Sequence, residues 1–168
     1  MVPDLRAARW PGILFAKGAS VPLRERKSSV NNILIVEDEL DIAEVLRLIL
    51  EDQGYVVSCA ANGLKGLQQV AENRPDLILL DHMMPKMTGA EMAQVLRSAD
   101  PTRRIVIVFS SALDEATVRR HFDDYDAFLQ KPYTIDKALN LIGSLLDRKP
   151  SREETRPFRQ PSVPAMQH

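Results

Sequence analysis

The sequence predicts an α/β domain, a parallel sheet with helices packed on both faces. Three observations carry this reading. Short runs rich in β-branched and leucine residues recur five times between residues 32 and 130. Each is followed by a stretch of helical periodicity, so strand and helix alternate along the chain. The runs within 76–80 and 104–109 are apolar at successive positions rather than alternate ones, the pattern of a strand buried on both faces. Such a sheet needs a helical layer on each side.

The elements follow in order. "NILIVE" (32–37) is the first strand. A helix over 41–53 places Ile42, Val45, Leu46 and Ile49 on one face, with Asp41 as its cap, Glu44 three residues on, and Gly54 as its stop. "YVVSCA" (55–60) is the second strand, and the helix over 63–73 turns Leu64, Leu67 and Val70 inward. Strand 76–80 precedes a loop and a helix over 89–99. Strand 104–109 precedes a short, irregular helix after Asp114, around 114–122. "AFLQ" (127–130) is the fifth strand, and Thr134 opens a last helix over 134–148.

Composition bounds the class. The chain has 168 residues, enough for one domain with its own core. Its 45% hydrophobic and 27% charged content are those of an ordinary water-soluble domain. No segment approaches the roughly 18–20 apolar residues of a membrane span. Cys59 is the one cysteine, so no disulfide framework exists. It sits in an apolar stretch as a small core residue and fits a reducing compartment, hence a cytoplasmic location.

Charge is partitioned. Residues 1–32 carry net +4, residues 148–168 net +3, and the middle, 33–147, net −8. A surface that acidic attracts cations or a basic partner, not nucleic acid. The ends read as unstructured: a basic arm over 1–30 and, over 149–168, a tail with four prolines. "WPGILFA" (10–16) is apolar, but it is short for a signal-peptide core and Pro11-Gly12 interrupts it. The folded domain therefore spans 31–148.

In a parallel α/β sheet, ligands gather at the carboxyl ends of the strands. Four of the five strands end polar there: Glu37 and Asp38, Asp81, Ser110 and Ser111, and Lys131 before Pro132. One such residue is ordinarily a turn former or helix cap. Four together define a chemistry. Three carboxylates in one pocket repel unless a cation joins them. Hard oxygen donors suit Mg²⁺, which favours one or two carboxylates plus a phosphate. Lys131 offers a point charge and Ser110 a hydroxyl for a phosphoryl oxygen. Ser111 is the alternative hydroxyl, and Ser110 is preferred because it directly follows the apolar run. Backbone N–H groups of 82–84 could complete the anion site. The carboxylate facing the pocket could itself be the nucleophile, forming an aspartyl-phosphate.

At "ILIVEDE", "LILLDHMMPKMTG", "IVIVFSS" and "FLQKPYT" the sequence resembles the receiver domain of two-component response regulators, over roughly residues 31–147. The separations also look right for that family: 43 residues from Asp38 to Asp81, 29 to Ser110 and 21 to Lys131. The resemblance implies a flavodoxin-like (βα)5 fold with sheet order 2-1-3-4-5. It implies that Asp81 accepts a phosphoryl group from a phosphohistidine on a histidine kinase or histidine phosphotransfer protein. Asp38 would ligate Mg²⁺ directly, Glu37 through water, and Asp81 and the Met83 backbone carbonyl would add oxygens. Ser110 would bond the phosphoryl oxygen and move on activation, Lys131 would form the ion pair, and Pro132 would follow a cis bond. Phe128 occupies the place of an aromatic whose rotamer reports the state. A downstream protein would read the face of the fourth helix, fifth strand and fifth helix.

Departures from the family pattern are also legible. "DDYDAF" (123–128) stands where receivers commonly carry a Gly-Ala pair, and the fourth helix is short. Met83 and Ala112 stand at positions that influence phosphate hydrolysis, and neither can orient a water, so slow dephosphorylation is expected. His82 reads as a loop or site-rim residue, not a metal ligand, and Met84 as packing. The lengths flanking the domain leave no room for a DNA-binding output domain, which points to a stand-alone receiver signalling by protein contact. Two other readings remain. One is a receiver-like interaction module that no longer turns over phosphate. The other is a phosphatase of the haloacid-dehalogenase type, which would need an acid two residues after Asp81, where Met83 stands.

Overall fold

The computed structural model describes residues 30–99 and 102–147. The expected arm (1–30) and tail (149–168) lie essentially outside the described residues. Five strands and five helices alternate: β1 (Asn32–Val36), α1 (Leu40–Asp52), β2 (Val56–Ala60), α2 (Gly63–Glu72), β3 (Leu77–Asp81), α3 (Gly89–Ser98), β4 (Val106–Ser111), α4 (Glu115–His121), β5 (Ala127–Gln130) and α5 (Ile135–Asp147). The strands form one parallel sheet of order β2-β1-β3-β4-β5. The expected flavodoxin-like topology is the observed one.

Strand pleating divides the core. Successive side chains point to opposite faces. Ile33, Ile35, Leu77, Leu79, Val108 and Leu129 pack against Ala43, Leu46 and Leu50 of α1 and Ala138, Ile142 and Leu146 of α5. Leu34, Val36, Ile78, Leu80, Ile107 and Phe109 pack against Val70, Met92, Ala93, Leu96 and Val118, from α2, α3 and α4. The sheet is thus dry on both sides, as the uninterrupted apolar runs demand. Cys59 is only half-buried, with Sγ 3.9 Å from the Ala43 carbonyl; burial pushes its thiol pKa up, which disfavours the reactive thiolate.

Local readings need three corrections. In α1 the inward face is Ala43, Leu46 and Leu50, whereas Val45 is exposed. That helix is apolar on so many positions that sequence alone does not select the stripe. It also starts earlier than expected, after Glu39, so Asp41 sits inside the first turn and caps nothing. In α2, Leu64 is exposed and Gly63, Gly66 and Val70 face the core. Gly54 stops α1 as read, whereas the caps of α2 and α3 come from residues not singled out in the sequence. The Asn62 side chain accepts from Lys65 N–H, Thr88 and Glu91 form a capping box, and Gly54 ends α1 at φ +87°. The last is a left-handed conformation that glycine adopts at little cost.

The fourth helix is as short as anticipated, seven residues with Val118 as its buried side chain. The unusual "DDYDAF" segment compensates. Arg97 of α3 donates to the carbonyls of Arg103, Ile105 and Asp124 and to Asp126 Oδ2. Asp126 Oδ2 also accepts the backbone N–H of Ile107. Tyr125 packs edge-on against Phe109, 5.2 Å between centroids, and its hydroxyl donates to Glu115 of α4.

Candidate functional site

The β1, β3, β4 and β5 termini bring their polar residues to one edge. Register explains why. Asp81 pairs with Ser110 across β3 and β4, and Ser111 with Gln130, directly before Lys131. Glu37 follows β1, and its N–H bonds the Ala60 carbonyl. These four strands therefore end at the same height, and Glu37, Asp81 and Lys131 meet in one cleft there.

Glu37 and Asp81 are buried, 3% and 8% exposed, while Asp38 is exposed. Lys131 Nζ donates to Glu37 Oε2 and to Asp81 Oδ2, 2.8 Å each. The other oxygen of Asp81, Oδ1, accepts the Met83 N–H at 2.9 Å. That donor, expected to serve an incoming anion, is already turned to Asp81. One lysine thus serves two buried carboxylates. Burial, followed by the balance of Lys131 against Asp81, pushes the Glu37 carboxyl up to about 7 from its ordinary 4.5. Burial opposes the Lys131 ammonium, but its two carboxylate partners outweigh that and the net shift is upward.

The donor set fits a hard divalent cation. Glu37, Asp38 and Asp81 each bring a carboxylate oxygen within 4.8 Å of the others. Octahedral ligands about 2.1 Å from Mg²⁺ stand roughly 3–4 Å apart, so a small closure suffices. Glu37 Oε1 is buried and meets no hydrogen-bond partner. A buried carboxylate oxygen without a donor is unfavourable, and a cation supplies the missing charge.

The two serines separate cleanly. Ser111 is fully buried and its Oγ accepts the Leu113 N–H at 3.0 Å. Ser110 is beside Asp81 in the ladder, and its Oγ donates to the Tyr133 hydroxyl at 3.3 Å. The Lys131–Pro132 bond is cis. Phe128 is half-buried against the α2–α3–α4 side of the core, 6.5 Å from Tyr125 between centroids. Met84 is buried as expected and Met83 is 60% exposed.

Behind Asp81 the backbone is tightly packed. Gly89 N–H donates to the His82 carbonyl at 3.1 Å. A Cβ at Gly89 would stand 2.2 Å from the Asp81 carbonyl oxygen, so glycine is required there. His82, expected at the rim, is instead 4% exposed, its ring edge-on to Phe109 and 5.5 Å from the ring of His121. Burial and His121 hold its pKa below the ordinary histidine value. Tyr133, the His82–His121 pair and the Arg97–Asp126 link were all missed in sequence. Each joins residues far apart in the chain, and none carries a local spacing signal.

An acidic cluster, a lysine and a hydroxyl at the carboxyl edge of a parallel α/β sheet form a donor set suited to a divalent cation and a phosphoryl group. The family model for the response regulator receiver domain matches residues 33–143. Over 136 residues the chain is 35% identical to response regulator MprA of Mycobacterium sp. (strain KMS), covering 80% of this chain and 56% of that protein. It is 35% identical over 118 residues to the DNA-binding dual master transcriptional regulator RpaA of Synechocystis sp., covering 69% and 49%. The chain spans about half the length of these curated relatives. Among solved structures, the signal receiver domain of a signal transduction histidine kinase from Syntrophus aciditrophicus superposes with TM-score 0.67 at 32% identity, covering 77% of this chain and all of that one. Response regulator TrrA from Thermotoga maritima, solved with Mg²⁺ and BeF, gives 0.63 at 27% identity, covering 69% and 99%.

This chain belongs to the response regulator receiver domain family of two-component signalling. Receiver domains are signalling modules that interact with histidine kinases or phosphotransfer proteins and with downstream targets, and they bind Mg²⁺ at an acidic cluster. Among the described residues, no helix is long and apolar enough to cross a membrane.

Proposed function

We propose that the chain works in the cytoplasm as a phosphoryl-controlled switch, with Asp81 as the phosphoacceptor. The observation that carries this is the shared lysine. Asp81 is held between Lys131 Nζ and the Met83 N–H, beside a buried Glu37 whose Oε1 has no partner. A carboxylate oxygen of Asp81 forms the new O–P bond as the N–P bond of a phosphohistidine on a histidine kinase or phosphotransfer protein breaks. The imidazole leaves with the bonding electron pair and takes up a proton. Asp38, Asp81 and the Met83 carbonyl, with Glu37 through water, would hold Mg²⁺, which would supply positive charge to the phosphoryl oxygens. Lys131 pairs with one of those oxygens, and Glu37 gives up its share of the ammonium. Ser110 leaves Tyr133 and donates its hydroxyl to another. The exposed Met83, two residues after Asp81, offers no proton for phosphatase turnover.

The readout is the face of α4, β5 and α5. Movement of Ser110 draws on the β4–α4 segment, and Phe128 and Tyr125 lie beneath the shortened α4. A downstream protein reads that face directly. The test is the amide spectrum of the full chain with beryllofluoride and Mg²⁺. Shifts should spread from Asp81 to α4 and β5 and vanish in Asp81→Asn. An unchanged wild-type spectrum would exclude the switch.

A further inference from the structure

We propose that His82 and His121 form a second cation site, specific for a borderline transition-metal ion of the Zn²⁺ class, which ties α4 to the segment following Asp81. The two rings are 5.5 Å apart between centroids and tilted by 43°. Imidazoles bound at about 2.0–2.1 Å to one tetrahedral ion hold their centroids roughly 5 Å apart. The pair therefore already stands near the required separation, with the rings inclined rather than stacked.

Each ring is prepared differently. His121 Nδ1 lies 3.0 Å from the Thr117 carbonyl, one turn back in α4. Donating Nδ1–H to that carbonyl fixes the tautomer and leaves Nε2 with a free lone pair, the orientation typical of metal-bound histidines. His82 is 4% exposed, and its Nδ1 is buried without a hydrogen-bond partner. A buried imidazole nitrogen left unpaired needs an explanation.

Both histidines line a cavity of about 330 Å³ together with Met83, Thr88, Ala90 and Leu113. It has room for waters to complete a coordination shell. The Met83 thioether, on a side chain that is largely exposed, is the further soft donor at the rim. No carboxylate lines this cavity. Imidazole and thioether favour Zn²⁺, Ni²⁺ or copper over Mg²⁺, whereas the Glu37–Asp38–Asp81 cluster offers oxygens alone. The chain would thus carry two cation sites of opposite preference, one of oxygens and one of imidazoles. An ion between them would bridge the residue after Asp81 to the C-terminal turn of α4, a helix anchored by one buried side chain. Transition-metal supply would then bias the same helix that phosphorylation moves.

The experiment is a calorimetric titration of the full chain with zinc chloride in excess Mg²⁺, with histidine ring resonances followed by NMR. One Zn²⁺ should bind per chain and shift the rings of both His82 and His121. His121→Gln, at an exposed position that the fold tolerates, should weaken binding by at least about tenfold. Asp38→Ala, at the oxygen cluster, should retain the Zn²⁺ site. Wild-type affinity in His121→Gln, loss of Zn²⁺ binding in Asp38→Ala, absence of binding in the wild type, or a shift of one ring without the other would each overturn the proposal.

Discussion

Gly89→Ala tests how the fold holds Asp81, the proposed acceptor. The added Cβ would lie 2.2 Å from the Asp81 carbonyl oxygen, 3.0 Å from Phe109 Cε1 and 3.1 Å from the Asp81 carbonyl carbon. A relaxed carbon–oxygen contact needs about 3.3 Å or more. The end of β3 and the start of α3 must therefore separate by roughly 1 Å, and Phe109 is fully buried and cannot yield freely. Overpacking of this kind costs about 1–3 kcal/mol, and because the clash is with backbone we expect the upper end, about 3 kcal/mol. In urea, with a slope of about 2 kcal/mol/M, the midpoint should fall by roughly 1.5 M. The same displacement moves Asp81 away from Lys131, and a shift of about 1 Å can reduce rate by up to about a hundredfold. Gly54→Ala is the control. Its φ of +87° makes alanine strained, but nothing lies within 4 Å. It should lose about 1 kcal/mol and label normally. A Gly89→Ala protein within about 1 kcal/mol of wild type, labelled at the wild-type rate, would refute the reasoning.

Three further expectations follow from the same structure. Arg97→Ala removes a guanidinium whose side chain is 9% exposed and leaves Asp126 and three carbonyls short of a donor, so denaturation should show a loss of about 3 kcal/mol; Arg47→Ala, which breaks exposed pairs with Glu44 and Glu51, should change stability by under about 1 kcal/mol. Glu37 has a folded-state pKa raised to about 7, so its contribution is fully present below its unfolded value near 4.5 and is lost as pH rises through 7. In EDTA, Glu37→Gln should therefore gain on wild type by on the order of 2–3 kcal/mol between pH 5 and 8, and a gap that stays flat would contradict the burial of that charge. Because neither Met83 nor Ala112 presents a group to orient water, the phosphorylated form should persist for minutes or longer without a partner, and a half-life of seconds would count against this.

Much of the molecule was legible in advance because its signals are local. A strand that must be dry on both faces shows itself as an unbroken apolar run, and the residue that ends the run marks the functional edge. Asp81, Ser110 and Lys131 were singled out that way and do stand at one sheet edge, and β5 falls at 127–130 as read. The inward stripe of α1 was not legible, since Leu40, Val45 and Leu48 are apolar yet exposed. Arg97 carries no sequence signal of its role, since its acid partner is 29 residues away. His82 follows Asp81 in a loop-like context, and in the fold its ring meets that of His121 from α4. The hydroxyl contact of Tyr133 with Ser110 likewise appears only once β4 and β5 are paired. Tertiary contacts of this kind leave no periodic trace.

The most direct test of the central claim is incubation of the purified chain with acetyl phosphate and Mg²⁺, followed by intact mass. The account predicts one phosphate adduct in the wild type, absent in Asp81→Asn and absent without Mg²⁺. No adduct under conditions that label a control receiver, or an adduct that survives Asp81→Asn, would contradict it.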